Sequence, residues 1–271
     1  MLGKLLKQEF GATARYFIPL YGLILILTPL FALTFRMMSN MDMDIESAGL
    51  SVIASLAALG IFGYAFLIIA IFIATLILIV IRFYKTTATS EAYLTFTLPV
   101  KTYQIVLSKT LAATAWEILA GIIAIFSVIG MFCISGFVTF HEMMDGLRSL
   151  FDGLFIYMDG DDYLTASLIL ISILTGTIAS VMKVYCAISL GQLFRNHRIL
   201  ISIGFYFAIY FALQIISMFL SVGGIIFLQG DNLSQSYYNY TYSISILENV
   251  AVSVAGFWVT TFIMKKHLNV I

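Results

Sequence analysis

The chain of 271 residues contains 61% hydrophobic and 10% charged residues, and its formal net charge is zero. Soluble proteins carry about 25% charged residues, so this composition excludes a chain whose main solvent is water. An integral membrane protein is the class that fits.

Long uncharged segments predict membrane-spanning helices. Each reaches the length of about 20 residues that a helix needs to cross the hydrocarbon core. The segments are continuously apolar, whereas the strands of a membrane β-barrel alternate apolar and polar residues. The sequence therefore predicts an all-α polytopic membrane protein, a bundle of about six transmembrane helices. The predicted spans are 17–36, 50–81, 103–138, 164–191, 199–228 and 244–264.

Basic residues predict the orientation of these spans. Six crossings place both termini on one side, and eleven lysines and arginines lie on that side against two on the other. Since cytoplasmic loops carry the excess of Lys and Arg, both termini are predicted to be cytoplasmic and the protein to lie in the cell membrane. The eleven are Lys4, Lys7, Arg15, Arg82, Lys85, Lys101, Lys109, Arg195, Arg198, Lys265 and Lys266, and the two are Arg36 and Arg148.

The whole chain, 1–271, is predicted to form a single transmembrane domain, because no loop is long enough for a further folded domain. Segment 1–15 predicts either an amphipathic helix on the inner membrane surface or a basic flank that only fixes topology. Segment 139–162 repeats apolar residues at three- and four-residue spacing, which predicts an outer interfacial helix that seals the bundle or gates a pathway. The tyrosine-rich segment 235–243 fits an aromatic belt or a substrate-exit surface.

The cytoplasmic loop 82–101 has the signals of a short helix. Thr89 or Ser90 can cap a helix that begins at Glu91, whose carboxylate lies at the positive end of the helix dipole. Pro99 ends it. The segment is either a docking helix for a protein partner or a loop at the membrane interface. Its apolar side chains are Tyr93, Leu94 and Phe96.

Two parts of the sequence carry a family resemblance. The chain starts Met-Leu-Gly-Lys-Leu-Leu-Lys-Gln-Glu-Phe, and the loop reads Ser90-Glu-Ala-Tyr-Leu-Thr-Phe-Thr-Leu-Pro-Val-Lys101, followed by Ile105-Val-Leu-Ser-Lys109. Together they resemble permease subunits of ATP-binding-cassette exporters, in the type-two branch common in Gram-positive bacteria. The likeness extends over most of the chain. Lys101 departs from it, since many distant relatives have Ser or Thr there.

This resemblance implies the transmembrane subunit of an exporter that moves a hydrophobic or amphipathic substrate, such as a peptide, lipid or drug, out of the cell. It also implies a cytoplasmic ATP-binding subunit and a second permease subunit, the same or different, surrounded by membrane lipid. No nucleic-acid partner is expected. In relatives the loop is the coupling helix, which implies coupling roles for Glu91, Tyr93, Leu94, Phe96 and Pro99.

The sequence has no signature of catalysis. It lacks the Gly-x-x-x-x-Gly-Lys-Ser/Thr loop that cradles phosphates, the His-Glu-x-x-His zinc motif and the Gly-x-Ser-x-Gly elbow. His141, His197 and His267 lie far apart in loops or tails. Catalytic, cofactor and metal sites are therefore not expected, and ATP hydrolysis is assigned to a partner subunit.

Two charged residues well inside predicted spans need an explanation. Glu117 in the third span and Lys183 in the fourth lie at similar depth in the inner third of the membrane. A charge costs about 2.5 to 3.5 kcal/mol at the membrane centre, so such residues pair or face water. The pattern predicts an ion pair between them, with a polar path lining and snorkelling of Lys183 as alternatives. Glu248 is expected at the outer end of the sixth span.

Two other functions fit the same spans. A non-transporting immunity or sensory protein would bind peptides or lipids without an ATPase. A secondary transporter would need paired broken helices and charges for ion coupling, and the spans carry few charges. Co-purification with an ATPase distinguishes the exporter subunit from both.

Overall fold

The computed structural model of the protein describes residues 2–39, 48–88, 100–136, 139–155, 160–194, 196–227 and 233–266. In this part of the chain every regular element is an α-helix. The helices are α1 (Leu2–Ser39), α2 (Ala48–Ala88), α3 (Thr102–Ser135), α4 (Phe140–Phe155), α5 (Gly160–Gly191), α6 (Arg198–Phe227) and α7 (Leu233–Lys266).

Within the described residues, six helices are long and apolar enough to cross a membrane, namely all except α4. Large apolar side chains on them are exposed, such as Ile26 and Phe219, each 74% accessible. A helix that is apolar around its circumference suits a hydrocarbon environment, which needs no polar outer face. The predicted fold class, an all-α polytopic membrane protein, is confirmed.

Helices α1 and α7 extend beyond their predicted spans. The segment 1–15 and the first span form one uninterrupted helix from Leu2, which contains Pro19 and Pro29. Helix α7 begins at Leu233, so the tyrosine-rich segment 235–243 is helical and continuous with the last span. Hydropathy marks only the apolar part of a helix, whereas intrahelical hydrogen bonds continue through its polar ends. The location of residues 1–15 on the inner surface of the membrane stays a prediction.

The loop between α2 and α3 follows a long helix. α2 has 41 residues, which at 1.5 Å per residue makes it about 62 Å long, against a hydrocarbon core of about 30 Å. It ends at Ala88, and α3 begins at Thr102. The predicted coupling segment, with Glu91, Tyr93, Leu94, Phe96 and Pro99, lies outside the described residues.

Helix α4 begins with a capping box. Glu142 Oε2 accepts hydrogen bonds from the Thr139 N–H at 2.7 Å and the Thr139 hydroxyl at 2.9 Å, and the Glu142 N–H donates to Thr139 Oγ1 at 3.3 Å. These bonds satisfy amides that have no partner within the helix. Because they favour the ionised carboxylate, they lower the pKa of Glu142. The helix lies within the predicted segment 139–162, and its place at the membrane interface stays a prediction.

The chain divides into two compact units. Unit 1 comprises Met1–Gly11, Ile79–Ala115 and Met158–Ile271, and unit 2 comprises Ala12–Leu78 and Trp116–Tyr157. The expectation of one domain over 1–271 stays a prediction.

In unit 1, α5 packs against both α6 and α7. Thr165 donates a hydrogen bond to Asn239 Oδ1 at 2.6 Å near one end of the contact between α5 and α7. Near the other end, a Cβ atom on Gly256 would lie 3.3 Å from Met182 Cβ, so glycine permits the close approach there. Both contacts join residues 74 positions apart in sequence, from Thr165 to Asn239 and from Met182 to Gly256. Helices α5 and α7 therefore run parallel and in constant register.

In unit 2, buried hydroxyl groups join α1, α2 and α3. Ser127 Oγ shares hydrogen bonds with Thr28 Oγ1 at 2.7 Å and with the Tyr64 hydroxyl at 2.9 Å. Trp116 Nε1 donates to Thr13 Oγ1 at 2.8 Å. Because hydrocarbon offers these groups no partner, each finds one on a neighbouring helix, and the bonds fix the relative positions of the three helices.

Candidate functional site

Three charged side chains from three helices form an ion cluster in unit 1. Glu9 of α1 forms an ion pair with Lys109 of α3 through Oε1 and Nζ. Its other oxygen lies 3.4 Å from Arg82 Nε and 3.5 Å from Arg82 Nη2, on α2. The side-chain exposure is 4% for Lys109, 15% for Glu9 and 32% for Arg82. The buried lysine therefore depends on Glu9 for its counter-charge.

The cluster lies close to the helix ends that flank the predicted coupling segment. Arg82 is about two turns before the end of α2 at Ala88, and Lys109 is about two turns after the start of α3 at Thr102. Glu9 contacts both side chains. One carboxylate from α1 thus holds together the helix that enters the loop and the helix that leaves it.

Aromatic packing places α5 beside the same helix ends. The Tyr185 hydroxyl donates to the Lys109 carbonyl at 3.3 Å, and the Tyr185 ring stacks on Phe83 with centroids 3.7 Å apart. Phe83 and Thr87 are buried. Close-packed groups of this kind transmit displacement as a body, because interiors have few voids into which they can yield.

A second feature of unit 1 is a polar cavity of about 180 Å³ among α5, α6 and α7. Its walls are unusual for helices of such apolar composition, because they carry charged, amide and hydroxyl groups. Polar residues inside membrane-spanning segments mark functional pathways or binding sites more often than they serve packing alone. The polar lining includes Lys183, Gln214, Ser217, Ser245, Glu248 and Asn249.

Lys183 and Glu248 reach the cavity from different levels. Met182 faces Gly256, so the backbone of Glu248 lies nine residues, or about 13.5 Å, nearer than that of Lys183 to the N-terminal end of the parallel pair. Both side chains lean toward that same end. Within the described part of unit 1, neither residue forms an ion pair. The cavity therefore presents opposite charges that do not neutralise each other.

The predicted ion pair between Glu117 and Lys183 involves residues of different units. Glu117 belongs to unit 2 and Lys183 to unit 1, so the pair stays a prediction. The position of Lys183 in the cavity wall is the arrangement expected of the alternative, a polar path lining.

Comparison of the chain with protein-family models, with curated proteins and with solved structures finds no match. Its relation to exporter permeases therefore depends on the resemblance of the start and of the 90–109 region.

The ion cluster and the cavity offer binding and positioning of charged groups. No group of three or more His, Cys, Asp or Glu side chains in the described part of the chain could hold a metal ion. The ion cluster offers a fixed electrostatic link between helices, and the cavity offers charged and amide groups to a small polar ligand.

One residue of these sites has no signal of pairing in the sequence. Glu9 lies 100 positions from Lys109, and no local pattern indicates a pairing over such a distance. Its only signal is that it is an acid within the basic start of the chain. Glu248 lies about four turns after the start of α7 at Leu233, and its place at the outer end of the span stays a prediction.

Proposed function

We propose that this chain is the transmembrane subunit of an ATP-binding-cassette exporter, powered by a separate ATPase subunit. The observation that carries the proposal is the ion cluster, in which Glu9 contacts Arg82 and Lys109 on either side of the predicted coupling segment. The resemblance of residues 90–109 to exporter permeases supports the same role. A subunit moved by a cytoplasmic motor needs a rigid connection between its docking segment and its membrane helices.

In this mechanism the ATPase binds the loop through Tyr93, Leu94 and Phe96, and nucleotide binding displaces the loop. The displacement passes into α2 and α3, which the loop connects. Glu9 holds their ends together with α1, so the three helices respond jointly. Tilting of these helices then alternates access to the substrate across the bilayer.

The substrate expected of such a subunit is hydrophobic or amphipathic, such as a peptide, lipid or drug. A second permease subunit, the same or different, completes the pathway, and both termini are cytoplasmic in the cell membrane. A reporter enzyme that is active only outside the cytoplasm tests this orientation. It should be inactive when fused after Lys266 and active when fused at Arg148, and the reverse pattern contradicts the proposed topology.

ATP hydrolysis provides the functional test. The purified chain alone should show none, because its sequence has no loop for the phosphates. On co-expression with its ATPase, the chain should form a stable complex that hydrolyses ATP. Robust hydrolysis by the isolated chain would contradict the proposal.

A non-transporting immunity or sensory protein is the second candidate, and the polar cavity of unit 1 favours it. A cavity of about 180 Å³ with charged walls could bind a ligand as a receptor does, without moving it across the membrane. This candidate predicts ligand binding in the absence of any ATPase complex in the native membrane.

A further inference from the structure

We propose that the polar cavity of unit 1 binds a zwitterionic group, with Lys183 holding its anionic end and Glu248 holding its ammonium end. The inference concerns binding alone and does not require an ATPase. If the bound molecule is also the exported substrate, that further step depends on the proposed function.

The charges of the cavity select this ligand class. Lys183 and Glu248 form no ion pair within the described part of unit 1, yet both line one cavity between apolar helices. A purely anionic ligand would match Lys183 and be repelled by Glu248, and a purely cationic ligand would have the opposite mismatch. A zwitterion satisfies both side chains and adds no net charge to the cavity.

Geometry agrees with a ligand that spans the two charges. The backbone levels of Lys183 and Glu248 differ by nine residues, or about 13.5 Å, along the parallel helices. The order along the axis fixes the ligand's direction. Its anionic end lies toward the C-terminal ends of α5 and α7, where Lys183 enters, and its ammonium lies toward their N-terminal ends.

Cavity size limits the ligand to a small group. A volume of about 180 Å³ falls below the range of about 300 to 1,000 Å³ that holds drug-sized ligands. Gln214 and Asn249 each offer amide donors and an acceptor to such a group. The phosphoethanolamine head group of a phospholipid and a free amino acid share this chemistry, an ammonium and an anion on one short scaffold.

Lipid binding to the purified full chain, without ATPase, tests the inference. Native mass spectrometry would compare phosphatidylethanolamine with phosphatidylglycerol of the same acyl chains, since the latter lacks the ammonium. We expect a preference of about tenfold for phosphatidylethanolamine, the size of one charge-assisted hydrogen bond. Glu248→Gln should abolish the preference, because it removes the partner of the ammonium, and Lys183→Met should weaken the binding of both lipids, because they share the phosphate. Lys265→Met removes an exposed charge from the same helix as Glu248 and should preserve the preference.

A competition arm distinguishes the two sources of the zwitterion. Soluble phosphoethanolamine and free leucine would be added against phosphatidylethanolamine. Competition by either shows that the cavity takes the free group, whereas lipid binding that neither displaces assigns the site to the lipid head group. Both results support a zwitterion site, provided that Lys183→Met and Glu248→Gln weaken the binding.

Three results would overturn the inference. The first is equal binding of the two lipids by the wild-type chain together with no binding of either soluble zwitterion. The second is a preference that survives in Glu248→Gln together with unchanged binding of both lipids in Lys183→Met, and the third is an equal loss of the preference in Lys265→Met. If Lys183→Met fails to fold, Glu248→Gln and Gln214→Leu decide the question, since each retains the basic residue.

Discussion

Glu9 and Lys109 form an ion pair between α1 and α3, in which the Lys109 side chain is 4% exposed. A buried ammonium loses its hydration, so its stability depends on the partner charge and on further hydrogen bonds. The partner is supplied by the first turns of the chain. The start of the sequence therefore contributes to the packing of unit 1 as well as to the basic charge that predicts topology.

Glu9→Gln should destabilise the protein more than any substitution of Arg82. Removing the carboxylate takes the Glu9 counter-charge away from a lysine side chain that is 4% exposed, and removing one partner of a buried pair typically costs about 3 to 5 kcal/mol. Arg82→Gln should cost at most about 1 kcal/mol, because that side chain is partly exposed. Thermal unfolding in detergent measures both changes.

The double variant Glu9→Gln with Lys109→Met provides the control for this interpretation. It removes both charges, so it should recover part of the stability lost in Glu9→Gln, with a coupling energy of about 1 kcal/mol or more. Strictly additive losses would show that the two side chains do not stabilise each other.

Glu117 and Lys183 remain the predicted intramembrane ion pair. If they pair, Glu117→Gln and Lys183→Met should each lower the melting temperature, and the double variant should recover about 1 kcal/mol or more. Additive stability losses would reject the pair. Weaker binding of both lipids by Lys183→Met with no change in Glu117→Gln would instead favour the cavity role of Lys183.

The coupling segment makes a separate prediction about the ATPase partner. Tyr93→Ala and Phe96→Ala together should weaken pull-down of the ATPase and leave membrane insertion intact, because they remove apolar contact area without touching a span. Tyr103→Ala is the matched control, as an exposed aromatic residue at the start of α3 and outside the segment. Unchanged pull-down in the double variant would assign the segment to an ordinary interface loop.

Helix α4 should lose stability in acid through Glu142. Hydrogen bonds from the Thr139 N–H and then the Thr139 hydroxyl lower the pKa of this carboxyl in the folded state. The ionised carboxylate therefore stabilises the helix at any pH above its pKa in the unfolded chain. This stabilisation is lost as the pH falls through its pKa in the folded protein. The protection of α4 amides against hydrogen exchange, relative to their intrinsic exchange rate at each pH, should therefore fall as the pH drops below about 4.5.

The variant Glu142→Gln isolates this effect. It keeps a hydrogen-bond acceptor at the same position but has no charge to titrate, so the acid-dependent loss of protection in α4 should disappear. An identical loss of protection in wild type and variant would show that another group controls the helix.

The membrane helices could be predicted from sequence because a segment that crosses hydrocarbon must be apolar over its whole length, which is visible in the sequence itself. Twenty or so apolar residues without charge have few alternatives to a transmembrane helix. The ends of the helices are harder to predict, because polar residues give no hydropathy signal. Tyr237 and Asn239 are such residues, and both are helical in the structure. Asn239 is held there by its hydrogen bond from Thr165, a contact that no local pattern encodes.

The candidate sites could be predicted only in part, for a related reason. Lys183 stands out in the sequence because a charge inside an apolar span is costly wherever it lies. Glu9 and Glu248 become site residues only through neighbours on other helices, Lys109 in one case and Lys183 in the other. The sequence shows that a charge lies inside an apolar span. Which residues lie beside that charge depends on how the helices pack and on their register.

Site-specific cross-linking in cells tests the central claim most directly. A photo-reactive p-benzoylphenylalanine would replace Tyr93 in the coupling segment or, as a control, Phe219, which is exposed on a membrane-spanning helix. The account predicts that the probe at Tyr93 cross-links to a cytoplasmic subunit carrying a phosphate-binding Gly-x-x-x-x-Gly-Lys-Ser/Thr loop, and that the probe at Phe219 does not. Absence of any such subunit from the Tyr93 cross-links, with the chain correctly inserted, would contradict it.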